Sequence, residues 1–216
     1  MLKHQRQFWD MPNRIVLLIG GYGSGKTYIG ALKSLYMSYL NSPVPGMYIS
    51  PSHQLATKTI IVTLKELCQR ADIDYTYNQQ RSEFTFHNWG GTIWLGSGDK
   101  PDSLRGPNIG WAVIDEPFIQ KREVFEQMIA RVRHPEAKKS QIFLTGTPES
   151  LNWGWVIAND PNMDIGTIQA STLDNPHLPD DYKESLLQAY SEEQIEAYVH
   201  GKFVNLTQGR VYKDFD

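Results

Sequence analysis

Ile15-Val16-Leu17-Leu18-Ile19 runs into Gly20-Gly21-Tyr22-Gly23-Ser24-Gly25-Lys26-Thr27 and then into Tyr28-Ile29-Gly30-Ala31-Leu32-Lys33-Ser34-Leu35. An apolar run, a complete GxxxxGK[ST] loop and a helix-compatible segment, in that order, specify strand, phosphate loop and helix. The glycines let the backbone turn so that successive amides point at the β- and γ-phosphates of a nucleotide, at the positive end of the following helix. Lys26 adds a point charge there, and the Thr27 hydroxyl is placed to coordinate Mg²⁺. Every residue from Gly20 to Thr27 is therefore a candidate nucleotide contact.

Trp111-Ala112-Val113-Ile114-Asp115-Glu116 is a buried-strand pattern ending in adjacent carboxylates. Asp115 is the expected second anchor for the metal ion. Glu116, the next residue, is positioned to accept a proton from a water in line with the γ-phosphate, a general-base role that favours hydrolysis over transfer. Adjacent carboxylates also simply end strands, so the pair takes its meaning from the phosphate loop. After the next apolar run comes Thr145-Gly146-Thr147-Pro148, small hydroxyl residues at the strand end where open α/β sheets bind ligands. Thr145 and Thr147 are candidate γ-phosphate sensors; an ordinary turn is the competing reading.

Apolar runs alternate with helical patterns, which implies an α/β fold with a mainly parallel sheet. Strands are expected at 14–19, 47–50, 109–115, 141–145 and 165–170, and helices at 26–40, 52–71 and 122–134. Ser82 to Leu95 breaks the alternation with two period-two runs around a glycine turn, which predicts a β-hairpin insertion. After Ala170 the chain turns irregular and then helical, with Ser191-Glu192-Glu193-Gln194 as a capping box and Gly201 as a stop. The reading divides the chain into a core over 1–170, a helical linker or lid over 171–209, and the start of a further linker over 210–216.

The 216 residues bury one substantial core, and the formal charge of -3 argues against a surface that is basic throughout. Cys68 is the single cysteine, and His4, His53, His87, His134, His177 and His200 are scattered without ligand spacing. No apolar run approaches the ~18 residues that span a bilayer, so no membrane role is expected.

These pieces together resemble the ATPase domain of the large terminase subunit of tailed bacteriophages. The likeness is carried by Gln5-Arg6-Gln7-Phe8 ahead of the first strand, the phosphate loop, the hairpin, Ser103-Leu104-Arg105-Gly106, Trp111 to Glu116 and Thr145 to Pro148. The resemblance implies a P-loop NTPase of the additional-strand, catalytic-glutamate type that uses ATP and Mg²⁺. It also implies a homo-oligomeric ring, expected to be pentameric, that docks on a portal protein, works with a small terminase subunit and moves double-stranded DNA in the host cytoplasm. The isolated domain is expected to be monomeric and slow. Gln5 resembles the adenine-reading glutamine, with Phe8 packing nearby; Arg105 resembles an arginine that the family presents to a neighbouring subunit's ATP. Tyr22 departs from the pattern, since related loops often carry arginine there. Too few residues follow Gly209 to build the family's nuclease, so none is assigned, and the ending is expected to be a truncation. Arg131, Arg133, Lys138 and Lys139 form a basic cluster suited to weak, transient DNA contacts, with a solvated loop as the plainer reading. Competing functions are a superfamily 2 helicase-like, DNA-stimulated ATPase and a nucleotide-gated ring-assembly module.

Overall fold

The computed structural model describes residues 1–206. The elements in chain order are α1 (Lys3–Asp10), β1 (Ile15–Gly20), α2 (Lys26–Asn41), β2 (Gly46–Ser50), α3 (His53–Lys58), α4 (Ile60–Arg70), β3 (Tyr75–Asn78), β4 (Glu83–Phe86) and β5 (Gly91–Ser97). There follow β6 (Trp111–Asp115), α5 (Arg122–Arg131), β7 (Gln141–Gly146), α6 (Trp153–Ala158), β8 (Ile165–Ala170), α7 (Asp180–Ala189) and α8 (Glu192–Gln194), which runs into a π-helical turn at Ile195–Val199. The linker expected at 210–216 lies outside the described residues.

One eight-stranded sheet has the order β3-β4-β5-β2-β6-β7-β1-β8. All pairings from β5 to β8 are parallel, and β3-β4-β5 is antiparallel. Every residue of β1, β2, β6 and β7 is buried, as expected of parallel strands covered by helices on both faces. Side chains alternate between the layers: Val16, Leu18, Trp111 and Val113 join Phe8, Ile29 and Leu64 on one face, while Leu17, Ala112, Ile114 and Leu144 join Val124, Phe125 and Met128 on the other.

The structure departs from the sequence expectation at several places. The expected hairpin forms, but β5 also pairs in parallel with β2, so the turn belongs to the main sheet. The helix expected over 52–71 breaks at Thr59 (φ -121°, ψ -87°), beside a run rich in β-branched residues. Ser52 caps α3 by accepting from the Leu55 amide. α5 stops at Arg131 because Val132 forms a parallel bridge with Ile109, which also delays the start of β6 to Trp111. The sequence pattern does not announce α1, β3 or α6. Among the described residues, no helix is long and apolar enough to cross a membrane.

Trp111 is fully buried and lies flat on Gly46: a Cβ added there would come within 1.9 Å of the indole. Gly46→Ala must therefore displace the indole, and we expect it to cost about 1–3 kcal/mol. A urea titration should show a lower midpoint with unchanged slope.

Candidate functional site

Parallel register gathers the loops that matter. Leu18 on β1 and Asp115 on β6 both lie opposite Thr145 on the intervening β7, so the ends of these strands stand side by side. The phosphate loop leaves β1 at Gly20, the carboxylate pair ends β6, and Thr145-Gly146-Thr147 ends β7. α2 then begins behind Gly25, whose left-handed backbone (φ +85°) provides no side-chain cap, so the first-turn amides remain open to an anion.

Inside the loop, each carbonyl from Gly21 to Gly25 accepts a hydrogen bond. Gly21 O accepts from Ser24 Oγ (2.8 Å) and Lys26 Nζ (2.9 Å). Tyr22 O accepts from Thr172 Oγ1 (2.7 Å), and Gly23 O from Asn175 Nδ2 (2.7 Å). Ser24 O accepts from His4 Nε2 (2.8 Å), and Gly25 O from Gln5 Nε2 (3.2 Å). Helix α1 thus holds the back of the loop, and the segment after β8 holds the front. Gly21 and Tyr22 are further tied through their amides to Ala170 O and Tyr198 O. The ring of Tyr22 stacks on Tyr198 at 5.1 Å, and burial followed by the Glu149 charge pushes its hydroxyl up to about 12. Where an arginine is common, this chain places a neutral ring packed on its own helical tail.

The acidic end of β6 is tightly constrained. Asp115 is buried and its Oδ1 accepts from Thr145 Oγ1 at 2.9 Å. Burial first, and then the Glu116 charge, push Asp115 up to about 7, against the pull of Thr145 and Lys26. Glu116 adopts a left-handed backbone (φ 45°), an uncommon conformation for a residue with a side chain. Its Oε2 accepts from the Thr147 amide at 2.9 Å, and its own amide donates to Thr145 O at 2.7 Å. Burial raises the Glu116 carboxyl while Lys26 and the Thr147 amide lower it. Burial lowers Lys26, and the two carboxylates oppose that shift. Burial beside a single lysine raises both acids, and a divalent cation at this corner would favour their ionised forms.

Two clefts meet at Gly25 and Tyr28. The smaller, about 280 Å³, is lined by Tyr22, Gly23, Lys26, Thr27 and Glu116. The larger, about 590 Å³, is lined by Leu2, Gln5, Ile29, Arg70 and His177 among others. In Gln5, Oε1 accepts from the Leu2 amide (2.8 Å) and Nε2 donates to Gly25 O, which leaves one N–H and one lone pair of the side-chain amide for a ligand.

Several expected contacts do not line these clefts. Phe8 is fully buried, 5.7 Å from the Phe143 ring. Thr145 spends its hydroxyl on Asp115, while Thr147 has a buried hydroxyl with no partner among the described residues. Gly20 and Gly21 lie beneath the loop: added Cβ atoms would meet Ser24 Oγ at 2.6 Å and Val199 O at 2.3 Å respectively. Arg105 is exposed and paired with Asp102 (3.0 Å) and Glu123 (3.3 Å), outside both clefts. Sequence reasoning missed His4, Thr172 and Asn175, whose partners lie far along the chain, and the cleft-lining Arg70, which ends a helix with no motif around it.

A sequence profile described as terminase large subunit, T4-like-virus type, N-terminal, matches residues 17–216. The PBSX phage terminase large subunit of Bacillus subtilis (strain 168) is 30% identical over 139 residues, which is 63% of this chain and 32% of that protein. The chain thus spans about a third of the curated relative it matches. The large terminase of a thermophilic bacteriophage superposes with a TM-score of 0.85 at 17% identity, over 100% of this chain and 56% of that one. The complex of that terminase with ATP-gamma-S gives 0.82 at 15% identity, over 94% and 53% of the two chains. The large terminase ATPase domain of Thermus phage P74-26 gives 0.69 at 14% identity, over 93% and 92%. At these identities the superpositions establish a shared fold.

Thr172→Val keeps the shape of the side chain but leaves the Tyr22 carbonyl unsatisfied. We expect a loss of about 1–3 kcal/mol and faster amide exchange at Gly23 to Gly25, with β1 amides unaffected. Unchanged exchange in the loop would mean that the tail does not hold it.

Proposed function

The chain belongs to the terminase large-subunit family, and from that premise we propose that it is the ATPase motor of a phage DNA-packaging machine. The observation that carries the reading is Glu116, held in a left-handed backbone and aimed by the Thr147 amide into the cleft it shares with Lys26 and Thr27. In this reading the adenine occupies the larger cleft against Gln5, and the triphosphate lies along the loop amides and Lys26. Thr27 and Asp115 would hold Mg²⁺, which supplies charge neutralisation at the phosphates. Among the described residues no group of three or more His, Cys, Asp or Glu is gathered to hold a metal, so phosphate and water oxygens would complete its shell.

Glu116 takes a proton from a water as the water oxygen bonds to Pγ; the bond from Pγ to the bridging oxygen breaks and ADP leaves with that oxygen. Thr145 keeps Asp115 oriented, and Gln120 Nε2 donates to Asp115 O at 2.6 Å, which fixes the turn behind both acids. Arg105 completes the site in a neighbouring subunit. Its exposed ion pairs with Asp102 and Glu123 are of the kind worth about 0–1 kcal/mol, so it is released at little cost. The ring so formed drives double-stranded DNA toward a procapsid in the host cytoplasm, with portal and small terminase subunits as partners and DNA contacts that are weak and transient.

Lys26→Ala should abolish ATP binding in calorimetry. Glu116→Gln should still bind ATP but lose about 10²- to 10⁴-fold in turnover; equal loss of binding in both variants would contradict the roles. Arg105→Ala alone should be slow, and mixing it with Glu116→Gln should restore phosphate release under conditions where wild-type rings assemble. Failure of every mixture would remove Arg105 from the neighbour's site.

A further inference from the structure

We infer that Lys33, which has no part in the chemistry, is a positioning residue that fixes the base-reading end of the nucleotide site. It lies on α2, seven residues beyond Lys26, and is 1% exposed. Its ammonium donates to Phe8 O (2.7 Å) and Trp9 O (3.0 Å), and lies 4.9 Å from the Phe8 ring and 4.4 Å from the Phe143 ring. The two carbonyls belong to the last turn of α1, a helix of eight residues with no acidic residue in its first turn and no basic residue in its last. Such a helix is marginal alone, and a cation at its C-terminal carbonyls is what its dipole lacks.

The front of the same helix carries His4 and Gln5, which grip Ser24 O and Gly25 O. α1 is therefore held to the loop at one end and to α2 at the other, and Lys33 is the anchor at the far end. A buried ammonium is costly: desolvation, then Lys139, pull Lys33 down to about 7, while Asp10 opposes them. A methionine would fill the space without that cost but would supply no donor to α1. The charge is explained by the need to hold α1 in one place, so that the remaining N–H and lone pair of Gln5 face the base in a fixed direction.

The inference rests on the reading of Gln5 as the base contact, and the test separates the two. Binding of ATPγS, GTPγS and inorganic tripolyphosphate to the full chain is measured by calorimetry. Wild type should prefer ATPγS to GTPγS. Lys33→Met should weaken ATPγS by about tenfold and erase the preference, with tripolyphosphate affinity within about twofold of wild type. Lys33→Arg, which keeps charge and donors, should retain most of the preference. Should Lys33→Met fail to fold, Lys33→Leu, which also supplies no donor, takes its place in the same titrations, with amide exchange reporting whether α1 has loosened relative to β1. A folded Lys33→Met or Lys33→Leu protein that keeps the full preference overturns the positioning role and leaves the ATPase reading intact. Wild type that binds tripolyphosphate but shows no preference overturns the Gln5 contact, and the positioning role with it. Wild type that binds none of the three overturns the nucleotide reading itself.

Discussion

A loop presents its amides to an anion only if its carbonyls face the other way, and outward carbonyls buried without donors are costly. Here the donors come from both ends of the chain: His4 and Gln5 on one side, Thr172 and Asn175 on the other. Satisfying Tyr22 to Gly25 in this way decides where α1 sits, where the tail turns after β8, and which way α2 points. Glycine is required at Gly23 and Gly25 by their positive φ, and the close approach of Val199 O and Thr172 Oγ1 leaves no room for a side chain at Gly21.

The same economy of space explains the acidic corner. β6 would carry Asp115 and Glu116 to opposite faces of the sheet, since successive strand residues alternate. The left-handed turn at Glu116 breaks that alternation and brings its carboxylate to the Thr147 amide, near Lys26, while Asp115 stays in the strand under Thr145. A strained residue of this type costs about 1–3 kcal/mol and persists where its surroundings hold it. Gln120, donating to Asp115 O from the turn that follows, is one such support.

Much of this is legible in the sequence because it is local. β1, the phosphate loop and α2 form one contiguous pattern, and the apolar run ending in Asp115-Glu116 announces both strand and site. The strands at 165–170 and 141–145 are readable for the same reason, as continuous apolar or period-two segments. What escapes depends on partners distant in sequence. α1 reads as polar, and only His4, Gln5 and Phe8 are buried, two of them for their hydrogen bonds rather than their hydrophobicity. Thr172 and Asn175 sit in a stretch whose irregular composition signals a loop without saying what it touches. Proximity to Gln5 in sequence suggests a place beside the nucleotide for Phe8, but its side chain is fully buried and packs against Phe143. The hairpin is readable, yet the capture of β5 by β2 is not, because strand order is set by packing over long separations.

The double hold on the phosphate loop also bears on how the protein is made. A chain synthesised from its N-terminus exposes β1 and the glycine loop early, together with α1, while β8 and the helical tail are still inside the ribosome. Until residues 165–170 emerge, β1 has one bare edge, and until Thr172, Asn175 and Tyr198 follow, two loop carbonyls and the Tyr22 ring have no partners. Contacts that close over such separations form late. The phosphate loop therefore takes its final shape only when the helices after β8 are in place.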